Sequence, residues 1–200
     1  MGEATPCTYD YVFEAFKTVA NDLKRLSKFL AVVLRHSPED FDIELDEQGY
    51  APLDSVWTVI QDKYGNQYDM SDLEAIVAGD SRGKKRYEII GEQIRAMYGH
   101  SKPKVIYPAC EPPELLYHGT NGTALKTIRT EGLQSLSRQY VHLTSNLDNA
   151  TVVAKRKTRK PIILVIRAME AYHASVVFHQ PESQHYLAKA IPAQFIDIPE

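Results

Sequence analysis

The chain has 200 residues, of which 44% are hydrophobic, and its formal net charge is −3. This composition is typical of a globular protein, and the negative charge argues against a general nucleic-acid coat protein while leaving room for a local basic site. No apolar run reaches the ~18 residues of a membrane-spanning helix, and the polar start is unlike a signal peptide, so we expect a cytoplasmic protein without membrane contact.

Apolar residues recur at helical spacing from Val12 to Leu34, which predicts one long helix or two joined helices. Pro38 disfavours helical backbone at the residue before it, so the helix should end close to Arg35 and His36. An arginine offers a planar set of donors that suits a phosphate, and a histidine adds a group that titrates near neutral pH. The alternative is that both side chains only cap the last helical carbonyls.

Two further helices are predicted in the first hundred residues. A short one should follow Pro52. Another should start at Ser71, which forms a capping-box pattern with Glu74, and it should end near Gly79.

Residues 86–90 and 93–97 have the composition of β-strands, and Gly91 and Glu92 between them suit a tight hairpin turn. Three helices followed by a hairpin are the order of a winged-helix domain. Arg86 belongs to a basic run at the start of this hairpin. It is either part of a phosphate-contacting wing or a solvated position on an edge strand.

Four prolines between residues 102 and 113 predict a boundary between two lobes, 22–101 and 105–200. Beyond it short strands and helices alternate, so the fold class should be α+β. The predicted strands are 115–118, 140–143 and 162–166, and the predicted helices are 123–129 and 147–154.

The second lobe contains several polar residues that can bind a ligand. His118, Gly119 and Thr120 follow an apolar strand, where Gly119 allows a close approach to the backbone and Thr120 or Asn121 can cap a helix. Arg138 precedes the strand that carries His142. A turn with a capping threonine and a structural histidine are the alternative interpretations of these residues.

Residues 155–160 hold five cations, which is typical of a solvated loop but also of a contact with nucleotide or RNA phosphates. There is no G-x-G-x-x-G or Walker loop, so a Rossmann or P-loop site is not predicted. The two cysteines, Cys7 and Cys110, form no pair, and no cluster has metal-ligand spacing; we therefore expect reduced thiols and no metal.

A series of short motifs, in this order from about Leu26 to Ile196, resembles the RNA 2'-phosphotransferase family. The motifs are Leu26-Ser27-Lys28-Phe29-Leu30, Leu34-Arg35-His36, Leu45-Asp46, Gly49-Tyr50, Lys85-Arg86-Tyr87, Ile94-Arg95-Ala96, Gly99-His100-Ser101, Leu116-Tyr117-His118-Gly119-Thr120, Glu131-Gly132-Leu133, Ser137-Arg138, Val141-His142-Leu143 and Ile191-Pro192. Each motif is short, but their joint order and spacing are specific.

The resemblance implies an N-terminal winged-helix lobe that binds RNA and a C-terminal ADP-ribosyltransferase-like lobe that binds NAD. It implies a catalytic quartet, Arg35, His36, Arg86 and Arg138. It also implies an NAD site formed by His118, Gly119, Thr120 and His142.

Three positions depart from the family pattern. Tyr98 stands where Gln is usual, and Tyr140 where His is frequent. His185 occupies a position that supplies an apolar residue near the NAD ribose in the family. We expect Tyr140 and His185 to be tolerated variations.

The activity implied by the resemblance removes an internal RNA 2'-phosphate in two steps through an ADP-ribosylated phosphate, with NAD as a consumed co-substrate. The products are RNA with a 2'-hydroxyl, nicotinamide and ADP-ribose 1'',2''-cyclic phosphate. We expect a monomer, which acts on tRNA or another RNA. Two rival functions are ADP-ribosylation of nucleic-acid phosphate ends that stops after the first step, and a winged-helix binding module without catalysis.

Overall fold

A computed structural model describes residues 21–80, 83–102, 104–156 and 158–199. The chain forms two compact units. The N-terminal unit comprises Met1–Asp46 and Tyr50–Ala96, and the C-terminal unit comprises Glu47–Gly49 and Met97–Glu200. The mixture of helices and antiparallel sheets confirms the predicted α+β class.

The N-terminal unit combines helices with a three-stranded antiparallel sheet of order β1-β3-β2. Helix α1 is described from residue 21 to 31 and continues as a π-helical turn, Val32–His36; residues 12–20 of the predicted helix lie outside the described residues. The elements that follow are a 3-10 turn (Pro38–Phe41), β1 (Tyr50–Pro52), α2 (Leu53–Tyr64), a 3-10 turn (Gly65–Gln67), α3 (Met70–Ala78), β2 (Tyr87–Ile90) and β3 (Gln93–Ala96).

The sequence periodicity explains why these elements pack together. Apolar residues of α1 at helical spacing are fully buried and meet residues of α2, α3 and the hairpin in one core. The fully buried side chains of this core include Leu26, Leu30, Val33, Leu34, Val56, Ile60, Leu73 and Ile94.

The predicted hairpin is confirmed, with Gly91 at positive φ in the turn. Helix α3 starts within one residue of the predicted Ser71, but the predicted capping box of Ser71 and Glu74 is wrong, because Asp69 is the N-cap and Asp72 completes the box. Asp69 has the extended backbone of a cap and also accepts a hydrogen bond from the Ser71 hydroxyl at 2.6 Å. The hydrogen bond from Ser71, followed by that from the Asp72 amide, lowers the pKa of Asp69.

The C-terminal unit is built on a seven-stranded antiparallel sheet of order β12-β8-β5-β7-β10-β9-β4, with a separate β11-β6 pair. Its elements are β4 (Ala109–Cys110), β5 (Leu115–Thr120), α4 (Gly122–Glu131), β6 (Leu133–Gln134), β7 (Val141–Thr144), α5 (Leu147–Lys155), β8 (Ile162–Arg167), α6 (Ala168–His173), β9 (Phe178–Glu182), β10 (His185–Ala188), β11 (Ala190–Ile191), a 3-10 turn (Ala193–Phe195) and β12 (Ile196–Asp197). The predicted strands and helices up to β8 are confirmed within about two residues at each end.

Residues 47–49 form a short excursion of the chain. At its neck the Asp46 amide donates to the Tyr50 carbonyl at 2.9 Å, and the Tyr50 amide donates to the Asp46 carboxylate at 2.8 Å. At its tip the Ile106 amide donates to the Glu47 carbonyl at 2.8 Å, and a Cβ on Gly49 would lie 3.1 Å from the Val105 side chain. The tip therefore belongs to the C-terminal unit although the sequence on both sides of it does not.

No helix in the described part of the chain is both long enough and apolar enough to cross a membrane.

Candidate functional site

The predicted site residues of the N-terminal unit lie at the end of α1 and at the start of the hairpin. Arg35 and His36 are the last residues of the π-helical turn, and both are half-buried. The Arg35 guanidinium donates to the Arg86 carbonyl at 3.0 Å and lies 5.2 Å from the centre of the Tyr87 ring. The structure thus brings Arg35 to the segment that carries Arg86.

Arg86 itself forms an ion pair with a nearby carboxylate. Its Nη2 atom lies 2.9 Å from Oδ2 of Asp80, whose other oxygen accepts from the Lys84 amide at 3.1 Å. Both members of the pair are about one-third exposed, so solvent screens their attraction. A guanidinium has five N–H donors, and one ion pair leaves several of them for a phosphate.

Tyr87 fixes the hairpin beneath these arginines. It is 1% exposed, and its hydroxyl donates to the Ser27 carbonyl of α1 at 2.5 Å. Burial raises the pKa of Tyr87, although Arg35 and the hydrogen bond with Ser27 act in the opposite direction.

In the C-terminal unit, His118 lies on β5, between β8 and β7 near the middle of the large sheet. Its Nδ1 atom lies 2.9 Å from the carbonyl oxygen of His142. A carbonyl only accepts, so Nδ1 carries the proton, and Nε2 is the acceptor of the neutral ring. This contact fixes both the orientation and the tautomer of His118.

The predicted strand 115–118 is confirmed and continues to Thr120, which pairs with Ile162 of β8, so the alternative interpretation of His118-Gly119-Thr120 as a turn is wrong. The helix cap is Asn121, whose side chain accepts from the Ala124 amide at 3.1 Å, and not Thr120. Thr120 is half-buried at the end of the strand.

Gly119 does allow a close approach, and the group that approaches is helix α5. A Cβ at this position would lie 2.5 Å from Cβ of Ala154 and 3.0 Å from the carbonyl of Ala150. Real Cβ atoms do not tolerate contacts of 2.5 Å, so the packing of helix on strand requires glycine here.

Arg138 and His142 are in direct contact. Nη1 of Arg138, an exposed residue, lies 3.3 Å from Nε2 of the half-buried His142. Nδ1 of His142 in turn lies 2.9 Å from Nε2 of His185, which is 8% exposed. The register of β10 against β7 explains this contact, because it places Leu187 opposite His142 and His185 two residues further along the same face.

Tyr98 completes this group of rings. Its ring centre lies 4.1 Å from that of His185 in an edge-on arrangement and 6.3 Å from that of His142. The sequence identified His185 and Tyr98 only as departures from a family pattern. Those departures were the only signal in the sequence, and the structure adds that the two side chains pack against each other beside His142.

The third departure, Tyr140, packs elsewhere. Its ring lies 5.7 Å from Tyr107 and 5.2 Å from His179, in an edge-on arrangement with both. Burial raises the pKa of Tyr140. The basic run of residues 155–160 begins at the last residue of α5, and the side chains of Lys155 and Arg156 are exposed.

The N-terminal unit contains Arg35, His36 and Arg86, and the C-terminal unit contains Arg138, His118, His142 and His185. The described residues contain no group of three or more histidine, cysteine or acidic residues that could hold a metal ion. In the C-terminal unit the geometry combines a cationic donor, Arg138, with ring nitrogens whose roles are fixed by their neighbours. Such a set can bind an anion and accept a hydrogen bond from a ligand hydroxyl.

Comparison with known proteins gives one consistent result. A family model described as RNA 2'-phosphotransferase, Tpt1 / KptA family, matches residues 21–190. A relative from Acetivibrio thermocellus is 37% identical over 177 residues, which cover 88% of this chain and 96% of the relative. A relative from Pectobacterium atrosepticum is 39% identical over 181 residues, which cover 86% and 95%. Both relatives carry the name "Probable RNA 2'-phosphotransferase".

Proposed function

This chain belongs to the RNA 2'-phosphotransferase family, and on that premise we propose that it removes a 2'-phosphate from RNA by transferring it to NAD, which is consumed. The observation that carries the proposal is the fixed chain of contacts from Arg138 to the ring of His142, and from the carbonyl of His142 to His118. It supports the proposal because Arg138 is a cation suited to a phosphate, and His118, which is linked to it through His142, has an acceptor nitrogen suited to a ribose hydroxyl.

The phosphate is bound, in this proposal, by Arg35, His36, Arg86 and Arg138. Each arginine is a permanent cation with several donors, which matches the charge and geometry of a phosphate. The contacts of Arg35 with the Arg86 carbonyl and of Arg86 with Asp80 hold two of these side chains in place before the substrate arrives. Preorganisation of this kind lowers the cost of binding.

NAD is bound by His118, Thr120 and His142, and the backbone at Gly119 contacts the nicotinamide amide. The Nε2 atom of neutral His118 accepts from a ribose hydroxyl, since Nδ1 is committed to the His142 carbonyl. The crowding of Gly119 by α5 gives this glycine a packing role as well.

The reaction has two displacements. First, a phosphate oxygen attacks the NAD ribose carbon that bears nicotinamide; a C–O bond forms, the C–N bond breaks, and its electron pair leaves with neutral nicotinamide. Second, the neighbouring ribose hydroxyl attacks phosphorus, loses its proton, and breaks the bond to the RNA 2'-oxygen, which gains a proton. His36 is the proposed proton carrier in the second step. The arginines neutralise charge on the phosphate as it accumulates.

The test is to incubate the protein with NAD and an RNA that carries one internal 2'-phosphate. We expect free RNA 2'-hydroxyl, nicotinamide and a cyclic phosphate of ADP-ribose in equal amounts. Stable ADP-ribosylated RNA as the end product would instead identify an ADP-ribosyltransferase that stops after the first step. RNA binding without release of nicotinamide would identify a binding module.

A further inference from the structure

His142 contacts Arg138 through one ring nitrogen and His185 through the other. The distances are 3.3 Å from Nη1 of Arg138 to Nε2 of His142, and 2.9 Å from Nδ1 of His142 to Nε2 of His185. A histidine held at both nitrogens has its proton position determined by its partners.

The donor in the first contact can only be arginine, because a guanidinium has N–H groups and no acceptor. Nε2 of His142 must therefore be without a proton. In a neutral imidazole the proton is then on Nδ1, which donates to Nε2 of His185. His185 must accept at Nε2 and hold its own proton on Nδ1. The direction of donation is thus Arg138 to His142 to His185.

Burial and packing hold His185 in this role. It is 8% exposed, and the ring of Tyr98, itself 6% exposed, lies against it at 4.1 Å. The two strands that carry His142 and His185 are adjacent in the sheet, so the distance between the rings is set by backbone pairing. An acceptor placed on a rigid strand positions its partner more sharply than one on a loop.

We infer that His185 is a positioning residue that selects the Nδ1-protonated tautomer of His142, so that Nε2 of His142 accepts from Arg138 and orients its guanidinium toward the substrate phosphate. The last part of this inference rests on the proposed function. The selection of the tautomer does not, because it concerns only contacts within the protein.

The tautomer is tested without substrate by long-range ¹H–¹⁵N NMR spectra of the histidine rings, with His142 assigned by its loss in His142→Gln. We expect wild-type His142 to be protonated on Nδ1. His185→Phe keeps a ring against Tyr98 but removes the acceptor, so the Nε2-protonated tautomer of His142 should increase. His185→Gln places an amide oxygen near the position of Nε2 and should preserve the wild-type tautomer.

The kinetic test measures kcat and KM for RNA dephosphorylation in the same proteins. We expect His185→Phe to lower kcat by roughly 5- to 10-fold, the size of one lost hydrogen bond, with a much smaller change in the KM for NAD. His185→Gln should recover most of this loss. The matched control is His179→Phe, which changes a neighbouring histidine that packs against Tyr140 and contacts the Pro108 carbonyl, and it should alter neither kcat nor the His142 tautomer.

Wild-type His142 protonated on Nε2 would overturn the inference, and this measurement needs no folded variant of His185. An unchanged tautomer in a folded His185→Phe protein would overturn it as well. If the wild-type protein has no activity on 2'-phosphorylated RNA, the proposed function fails, while the spectra still decide whether His185 sets the proton position of His142.

Discussion

The two units hold the arginines that we propose to bind phosphate in different ways. In the N-terminal unit Arg86 pairs with the carboxylate of Asp80, so part of its charge is balanced before a ligand binds. In the C-terminal unit Arg138 contacts a neutral imidazole nitrogen of His142, and its full positive charge remains available.

This difference indicates a division of roles. An arginine whose charge is already balanced by a carboxylate contributes mainly to the position and affinity of the bound phosphate, since binding replaces one anion beside it by another. An arginine held by a neutral acceptor adds its whole charge to the electrostatic field at the phosphate. This charge stabilises the transition state most when negative charge accumulates on the phosphate. We therefore expect the N-terminal arginines to influence RNA binding and Arg138 to influence the chemistry.

Arg138→Ala should give the largest effect. Loss of one well-placed donor to a developing charge costs on the order of 10²–10³ in rate, and the loss should fall on the second step, in which the phosphate is the electrophile. RNA that carries 2'-phospho-ADP-ribose should then accumulate as a slower band on a denaturing gel. We expect the same pattern for His36→Ala, and no change for Arg129→Ala on the exposed face of α4. Equal loss of both steps, with no intermediate at any time, would contradict this division.

Arg35→Ala and Arg86→Ala should instead raise the KM for RNA, by about 10- to 100-fold if each removes a charged hydrogen bond, with a smaller effect on kcat.

Asp80→Asn tests whether the carboxylate of Asp80 reduces the charge that Arg86 offers to the RNA. Removal of the carboxylate should lower the KM for RNA by only a few fold, because a partly exposed ion pair is worth ~1 kcal/mol or less and the loss of preorganisation of Arg86 offsets part of that gain. A rise in KM for Asp80→Asn would show that Asp80 mainly positions Arg86.

Gly119→Ala tests how closely the C-terminal site is packed. The added Cβ would lie 2.5 Å from Cβ of Ala154, and overpacking of this kind costs about 1–3 kcal/mol of folding free energy. Thermal unfolding followed by circular dichroism measures the loss. Ala154→Gly should be less destabilising in the Gly119→Ala background than in the wild type, and additive effects in this double-mutant cycle would show that the two residues do not compete for space.

Tyr87→Phe should give the smallest effect at neutral pH, about 1 kcal/mol for the hydrogen bond with Ser27. The pKa of folded Tyr87 is raised from its usual value near 10.0, so its contribution to stability is complete below that pH and is lost as the pH rises through the folded value. The variant should therefore lose stability less steeply in alkali. Fluorescence of Trp57, the single tryptophan of the chain and a neighbour of the N-terminal core, follows this unit.

Most elements could be predicted because their causes are local. Helical spacing identified α1, and the Gly91-Glu92 turn identified the hairpin. The last four strands were not predicted. β10 is buried at all four positions, so it lacks the alternation that marks a half-exposed strand, and β11 and β12 have two residues each.

The site was predictable only as a set of residue types. Arg138 and His142 are four residues apart in the sequence, but the contact of His142 with His185 spans 43 residues and depends on the register of β10 against β7. The role of Gly119 likewise depends on the position of α5. No local pattern encodes such distances.

The excursion at Glu47–Gly49 has a consequence for how the chain folds as it is synthesised. The N-terminal unit is complete once Ala96 has been made, but the C-terminal unit needs residues 47–49, which precede most of it by fifty residues or more. Their partners Val105 and Ile106 are made only afterwards. Closure over such a separation in sequence is slow relative to local contacts. The contacts of residues 47–49 are therefore among the last that the C-terminal unit can complete with this part of the chain.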